Sequence, residues 1–152
     1  MTVSAVLKQK GSTVIAVQPE TMVAEAADII ARRRIGAVVV QTSDGALAGI
    51  LSERDLVRGL VEHGAALMEL PVRELMTAKV TVVSPQTSVG EAMEIMDSGY
   101  FRHLPVVDDG GRLCGIVSIR DLVRYRITLQ QSDVESLQAY VIGRGYGTGR
   151  VV

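Results

Sequence analysis

The sequence predicts a mixed α/β (α+β) protein built from two β-α-β-β-α units packed about a pseudo-two-fold axis, with one further helix behind them. Three observations carry this. GILSERDLVR at residues 49–58 returns as GIVSIRDLVR at residues 115–124. The same offset aligns residues 14–58 with 80–124 without a gap, at about 19 identical positions of 45. Within each copy the apolar spacing switches between the period of strands and that of helices. Two copies of this length are too few and too long for a solenoid, so a packed pair is expected.

Each copy is read in the same order. Val14–Val17 is a short β-rich run closed by Pro19. Thr21 and its twin Thr87 are candidate helix N-caps. Val23, Ala26, Ala27 and Ile30, with Val89, Ala92, Met93 and Met96, then recur at helical spacing. An apolar strand follows (Ala37–Val40, Leu104–Val107), then a hairpin turn at Asp44-Gly45 or Gly110-Gly111. A second strand (Leu47–Leu51, Leu113–Val117) leads to Ser52 or Ser118, which opens the last helix. A fainter echo lies upstream, where VSAVLKQKGSTV (3–14) resembles VRELMTAKV (72–80). The expected organisation is a first repeat at 1–62, a connection at 63–71, a second repeat at 72–127, a C-terminal helix at 128–142 and a flexible glycine-rich tail at 143–152. Ser132 and Glu135 form a candidate capping box for that helix. Val134, Leu137 and Val141, with Tyr140 alongside, give it an apolar stripe that covers either its own domain or another subunit.

Composition narrows the function classes. The chain has 152 residues, 47% hydrophobic and 22% charged, with a net charge of −1. That balance argues against a general nucleic-acid or membrane surface. The longest strongly apolar run, Ile35–Val40, is far too short to span a bilayer. The first residues lack the basic start and long apolar stretch of a signal peptide. Cys114 is the single cysteine, so no internal disulfide forms, and a reducing, cytoplasmic location is the simplest expectation. Aligned with Ala48 in a strand, Cys114 reads as a small core residue, with no paired base to make it a nucleophile. His63 and His103 have no second ligand at helical or hairpin spacing, so no metal site is expected. No catalytic residue stands out, and the chain is not read as an enzyme.

The decapeptide is the most informative stretch. Ser-x-x-Asp after a strand is close to a capping box: Ser52 accepts from an amide in the first turn, and Asp55 reaches back to the cap amide. Capping does not require Arg54 or Arg120, since a cation in the first turn opposes the helix dipole unless an anion joins it. An amide-rich helix start, a hydroxyl, a guanidinium and a carboxylate together suit a phosphorylated ribose: Arg and amides for phosphate, Asp for the sugar hydroxyls.

Val-x-x-Leu-Met-Thr (72–77), Val-x-Pro-x-Thr (83–87), Arg-His-Leu-Pro-Val-Val (102–107) and Gly-Ile-Val-Ser-x-x-Asp (115–121), met twice in order, resemble the CBS domain, named after cystathionine β-synthase. The two copies resemble a CBS pair, or Bateman module, over about residues 3–126. The resemblance implies a regulatory sensor that binds adenosine-containing ligands between the repeats. AMP and NAD(H) are the preferred ligands, with ADP and ATP also admitted. The arginines make the cationic sulfonium of S-adenosylmethionine less suitable. It implies that Ser52, Arg54 and Asp55 serve one site and Ser118, Arg120 and Asp121 the other. Val14 with Ile35, Gly36, Ala37 and Val38, and Val80 with Phe101, Arg102, His103, Leu104 and Pro105, would flank the bases. Gly36-Ala37 in one copy occupies the slots of Arg102-His103 in the other, so the two sites are expected to differ. A flat homodimer and a regulated protein partner are also implied. The competing readings are a ligand-free interaction or dimerisation module, in which Ser-x-x-Asp is only a cap, and a nucleotide hydrolase.

Overall fold

The computed structural model describes residues 1–145. Helix α1 (Val3–Lys10) leads into the first copy: β1 (Ala16–Val17), α2 (Val23–Arg33), β2 (Ala37–Gln41), β3 (Leu47–Ser52) and α3 (Glu53–His63). Two short 3-10 turns, Gly64–Glu69 and Val72–Glu74, cross to the second copy, which comprises α4 (Val89–Gly99), β4 (His103–Val107), β5 (Leu113–Ser118) and α5 (Ile119–Gly145). In the first sheet β1 runs parallel to β2, and β2 antiparallel to β3. β4 and β5 repeat the antiparallel hairpin with the same register.

The first strand of the second copy is reduced to one bridge, Val83 to Val106. Pro105 explains the loss. In the first copy the Val39 amide donates to the Ile15 carbonyl at 3.2 Å. Pro105 stands at the twin position of Val39 and has no N–H to give. Val83 still brackets the strand through Val83 N to Pro105 O (3.0 Å) and Val107 N to Val83 O (2.9 Å).

Two aliphatic cores form, and each recruits the segment that precedes the other copy. Val3, Val6 and Leu7 of α1 join Val89, Met96, Leu104, Val117 and Leu122 in the core of the second copy. Leu67, Val72 and Leu75 join Val23, Ile30, Val38 and Leu51 in the core of the first. Paired hydrogen bonds fix the exchange: Val3 N to Thr87 O (2.8 Å) is matched by Val72 N to Thr21 O (2.7 Å). α1 thus packs in the core of the second repeat, and 64–76 in that of the first. The echo between 3–14 and 72–80 reflects these equivalent roles. It also explains why glycine leads the decapeptide. A Cβ on Gly49 would lie 2.6 Å from the Thr77 carbonyl oxygen, and one on Gly115 would lie 2.8 Å from Leu7 Cδ2. The exchanged segments cross directly over these strand positions.

Two helix ends differ from expectation. The N-cap residues of α2 and α4 are Met22 and Ser88, not Thr21 and Thr87. The two threonine hydroxyls instead accept from Gln18 N (3.0 Å) and Ser84 N (3.1 Å), closing the turns around Pro19 and Pro85. At the other end, α5 is one continuous helix from Ile119 to Gly145. Ser132 lies inside it and starts nothing, because no glycine or proline interrupts residues 119–142. The tail expected from 143 begins helical, and its residues from 146 lie outside those described. Among the described residues, no helix is long and apolar enough to cross a membrane.

Candidate functional site

Chain reversal at Ser52 turns β3 into α3 and aims the helix start at the second copy. The capping box is complete: Ser52 Oγ accepts from Asp55 N (3.3 Å), and Asp55 Oδ2 accepts from Ser52 N (2.9 Å). The first helical amide, Glu53 N, donates to Gly36 O at 3.0 Å. Asp55 also accepts from the Arg58 guanidinium (2.6 Å) and from Thr77 Oγ1 (3.5 Å). Only 4% of Asp55 is exposed, yet both of its oxygens are partnered.

This helix start forms one wall of a cleft of about 510 Å³ between the copies. Gly36, Ser52, Glu53, Arg54, Asp55 and Arg58 line it from the first copy. Thr77, Lys79, Val80 and Thr81 form its floor, and Tyr100, Phe101, Arg102 and His103 the facing wall. Four cations against two carboxylates give the walls a positive balance suited to an anion. Arg54 also bonds the Tyr100 carbonyl, which ties α3 to the end of α4 across the cleft.

The cleft thus joins Ser52, Arg54 and Asp55 with Val80, Phe101, Arg102 and His103, the strand-flanking residues of the other copy. Gly36 belongs here too: a Cβ on it would lie 2.8 Å from His103 Cε1. Val38, Leu104 and Pro105 are buried in the two hairpins and do not line the cleft. Val14 lies half-buried ahead of β1, Ile35 packs on the first core, and Ala37 is buried in β2. Arg58, Lys79, Thr77 and Tyr100 escaped the sequence reading. Arg58 carried a usable signal, since it is the tenth residue of the decapeptide and is kept as Arg124.

His103 is half-buried, and its burial holds the imidazole below the usual histidine range. Asp121 and Glu53 draw its pKa up, and Lys10 and Arg102 push it down again. It faces the cleft as a neutral ring at pH 7.

The second capping box is built alike. Ser118 N donates to Asp121 Oδ2 (2.8 Å), Asp121 N to Ser118 Oγ (3.2 Å), and Ile119 N to Arg102 O (2.8 Å). Its carboxylate has a different neighbour. Lys10, from the end of α1, donates to Asp121 Oδ2 at 2.7 Å and to Ile116 O at 2.8 Å. Burial raises the Asp121 pKa, but the bonds from Lys10 and Ser118 outweigh it and leave the carboxyl below the usual range. Where Thr77 brings a hydroxyl to Asp55, α1 brings an ammonium to Asp121. Arg120 is exposed. Cys114 donates to Val106 O at 3.3 Å, and burial and the Asp108 carboxylate push its thiol up, away from the nucleophilic thiolate. Among the described residues, no three His, Cys, Asp or Glu side chains group as a metal site.

The family model for the CBS domain matches residues 11–62 and 72–128. The chain is 40% identical over 111 residues to an uncharacterised 17.7 kDa protein of Acidianus ambivalens, covering 73% of this chain and 66% of that protein. It is 34% identical over 153 residues to the CBS domain-containing protein CBSX3, mitochondrial, of Arabidopsis thaliana, covering 95% and 73%. Among solved structures, the CBS-domain protein ATU1752 of Agrobacterium tumefaciens superposes with a TM-score of 0.80 at 42% identity, covering 82% of this chain and 92% of that one. CBSX2 in complex with AMP superposes at 0.71 with 26% identity (85% and 98% covered). The CBS domain pair of MJ0100, in complex with 5′-methylthioadenosine and S-adenosyl-L-methionine, superposes at 0.73 with 25% identity (82% and 98%).

Proposed function

The chain belongs to the CBS-domain family as a tandem pair, and on that premise we propose that it is a regulatory module binding an adenine nucleotide in the cleft between its copies. The observation that carries this reading is the meeting of Arg54, Lys79 and Arg102 with the capped start of α3 across a 510 Å³ space. That volume lies within the range of small-ligand sites. The cations take the phosphate, Ser52 and Asp55 the sugar, and Val80 and Phe101 the base. AMP and NAD(H) fit this charge best, with ADP and ATP next. Binding of AMP by CBSX2 supports the nucleotide class, and the sulfonium ligand of MJ0100 keeps S-adenosyl-L-methionine in the test.

Ser118, Arg120 and Asp121 form the second site, which differs in that Lys10 of α1 bonds its carboxylate where Arg58 and Thr77 bond Asp55. The module works in the cytoplasm as a homodimer, without catalysis of its own. A ligand that bridges the copies favours one relative orientation, which a protein partner reads.

One observation favours a second reading, a ligand-free interaction module. The Asp55 oxygens and the Arg54 guanidinium already have partners inside the chain. A thermal-shift panel with AMP, ADP, ATP, NAD, NADH, 5′-methylthioadenosine and S-adenosyl-L-methionine separates the two. A ligand at about 100 times its Kd adds ~2.7 kcal/mol, or roughly 5–10 °C here. The shift is expected with the phosphorylated ligands and is abolished by Asp55→Ala. No shift with any of them, on protein shown free of co-purified nucleotide, establishes the interaction module.

A further inference from the structure

Helix α5 carries two apolar stripes, and its own domain uses only one. Leu122 is fully buried in the second core, with Ile119 and Tyr125 packed against it. The other stripe runs Val123, Ile127, Gln130, Val134, Leu137, Val141, in steps of four and three. Its five apolar members are 39–67% exposed, and Gln130 is exposed as well. Beyond residue 129 every described side chain through 143 is exposed. A 27-residue helix is about 40 Å long.

Alternating steps of four and three are the seam of a two-stranded coiled coil. Ile127, Val134 and Val141 fall seven apart at one seam position, and Val123, Gln130 and Leu137 at the other. The first position holds the β-branched Ile127, Val134 and Val141, and the second holds Val123, Gln130 and Leu137, so the seam is apolar but for one polar layer. Gln130 selects direction. In an antiparallel pair the two positions face each other, and Gln130 would lie against valine with its amide unmet. In a parallel, in-register pair it meets Gln130 of the second copy, and each amide both donates and accepts. Val57 and Val61 of α3, the repeat twins of Val123 and Ile127, are exposed too.

We infer that α5 pairs in parallel and in register with α5 of a second copy of this chain, through the seam from Val123 to Val141. This rests on the homodimer named above and on nothing in the nucleotide cleft, and it sets the two bodies side by side with their second copies adjacent.

The test removes the single native cysteine by Cys114→Ser and adds Leu137→Cys on the seam or Ser132→Cys on the opposite face. Mild oxidation is read on non-reducing gels, without nucleotide. The Leu137→Cys chain is expected to cross-link at least tenfold faster than the Ser132→Cys chain. An Ile127→Cys chain mixed with a Leu137→Cys chain is expected to give no preferential cross-link. In light scattering, Val134→Asp should weaken the dimer at least tenfold while circular dichroism shows the body still folded, since Val134 is 52% exposed and outside both cores. Equal cross-linking rates, or a dominant 127–137 cross-link, overturn the pairing. A dimer untouched by Val134→Asp overturns the seam but leaves the homodimer standing. A monomeric parent protein overturns both, and leaves nucleotide binding to its own assay.

Discussion

Asp55 shows how one side chain serves two ends. It closes the capping box and anchors Arg58 beside the cleft, while 4% exposed. Asp55→Asn keeps its volume but points an NH2 at donors that need acceptors. The expected cost is about 1–3 kcal/mol in urea unfolding, with at least tenfold weaker nucleotide binding by calorimetry. Full affinity at reduced stability would make Asp55 a cap and nothing more. His103 gives a pH signature. Its folded pKa lies below the unfolded value because burial disfavours the charged ring. Its contribution to stability is therefore complete above the unfolded pKa, about 6.5, and fades as pH falls from there toward the folded pKa. A bound phosphate opposes that burial and favours the imidazolium. Nucleotide affinity should rise between pH 7.5 and 6, and His103→Gln should flatten the rise in titrations at several pH values.

At the scale of elements, the ends of α1 and the 72–76 segment decide how alike the two sites are. Each is exchanged onto the other copy's hairpin, but α1 runs one turn on and lays Lys10 over Asp121, whereas Thr77 meets Asp55. Lys10→Met removes the ammonium that bonds Asp121 and should change nucleotide affinity at the Ser118–Arg120–Asp121 site at least threefold in calorimetry while sparing the Ser52–Arg54–Asp55 site. Unchanged affinity at both sites would show that Lys10 does not tune the second one. The same variant removes the bond that depresses Asp121. That stability is present above the unfolded carboxyl pKa and is lost as pH falls through the folded one, so Lys10→Met should also flatten the acid end of the stability profile.

Across the whole molecule, the exchange makes each copy depend on the segment written before the other. Val6 sits in sequence next to the first copy but in space within the second core. Val6→Ala should cost about 2 kcal/mol. Its local effect should appear as lost hydrogen-exchange protection in β4 and β5, with β2 and β3 spared. Loss confined to β2 and β3 would contradict the exchanged cores. The cleft lies at the same boundary, so a ligand gripping Arg54 and Arg102 together ties the copies to one another and carries its occupancy through both.

Local spacing by itself determined the repeat, the helix–strand–strand–helix order within each copy, the hairpins and the capping boxes at Ser52 and Ser118. Each depends on neighbours within a few residues, and a twofold copy makes the signal redundant. Local spacing also misled where a threonine closes the preceding turn instead of capping the helix, as Thr21 and Thr87 do, and where Ser132 mimics a helix start inside α5. The tertiary structure alone decided which half-sites meet. The decapeptide of the first copy faces Val80 and Arg102 of the second, because α1 and the 64–76 segment trade cores. It alone placed Lys10 on Asp121, a contact 111 residues apart that no periodicity announces. It alone left the outer stripe of α5 bare. Short-range geometry is encoded by propensity and period, whereas the pairing of distant faces is settled by which apolar surfaces are left for one another once each unit has folded.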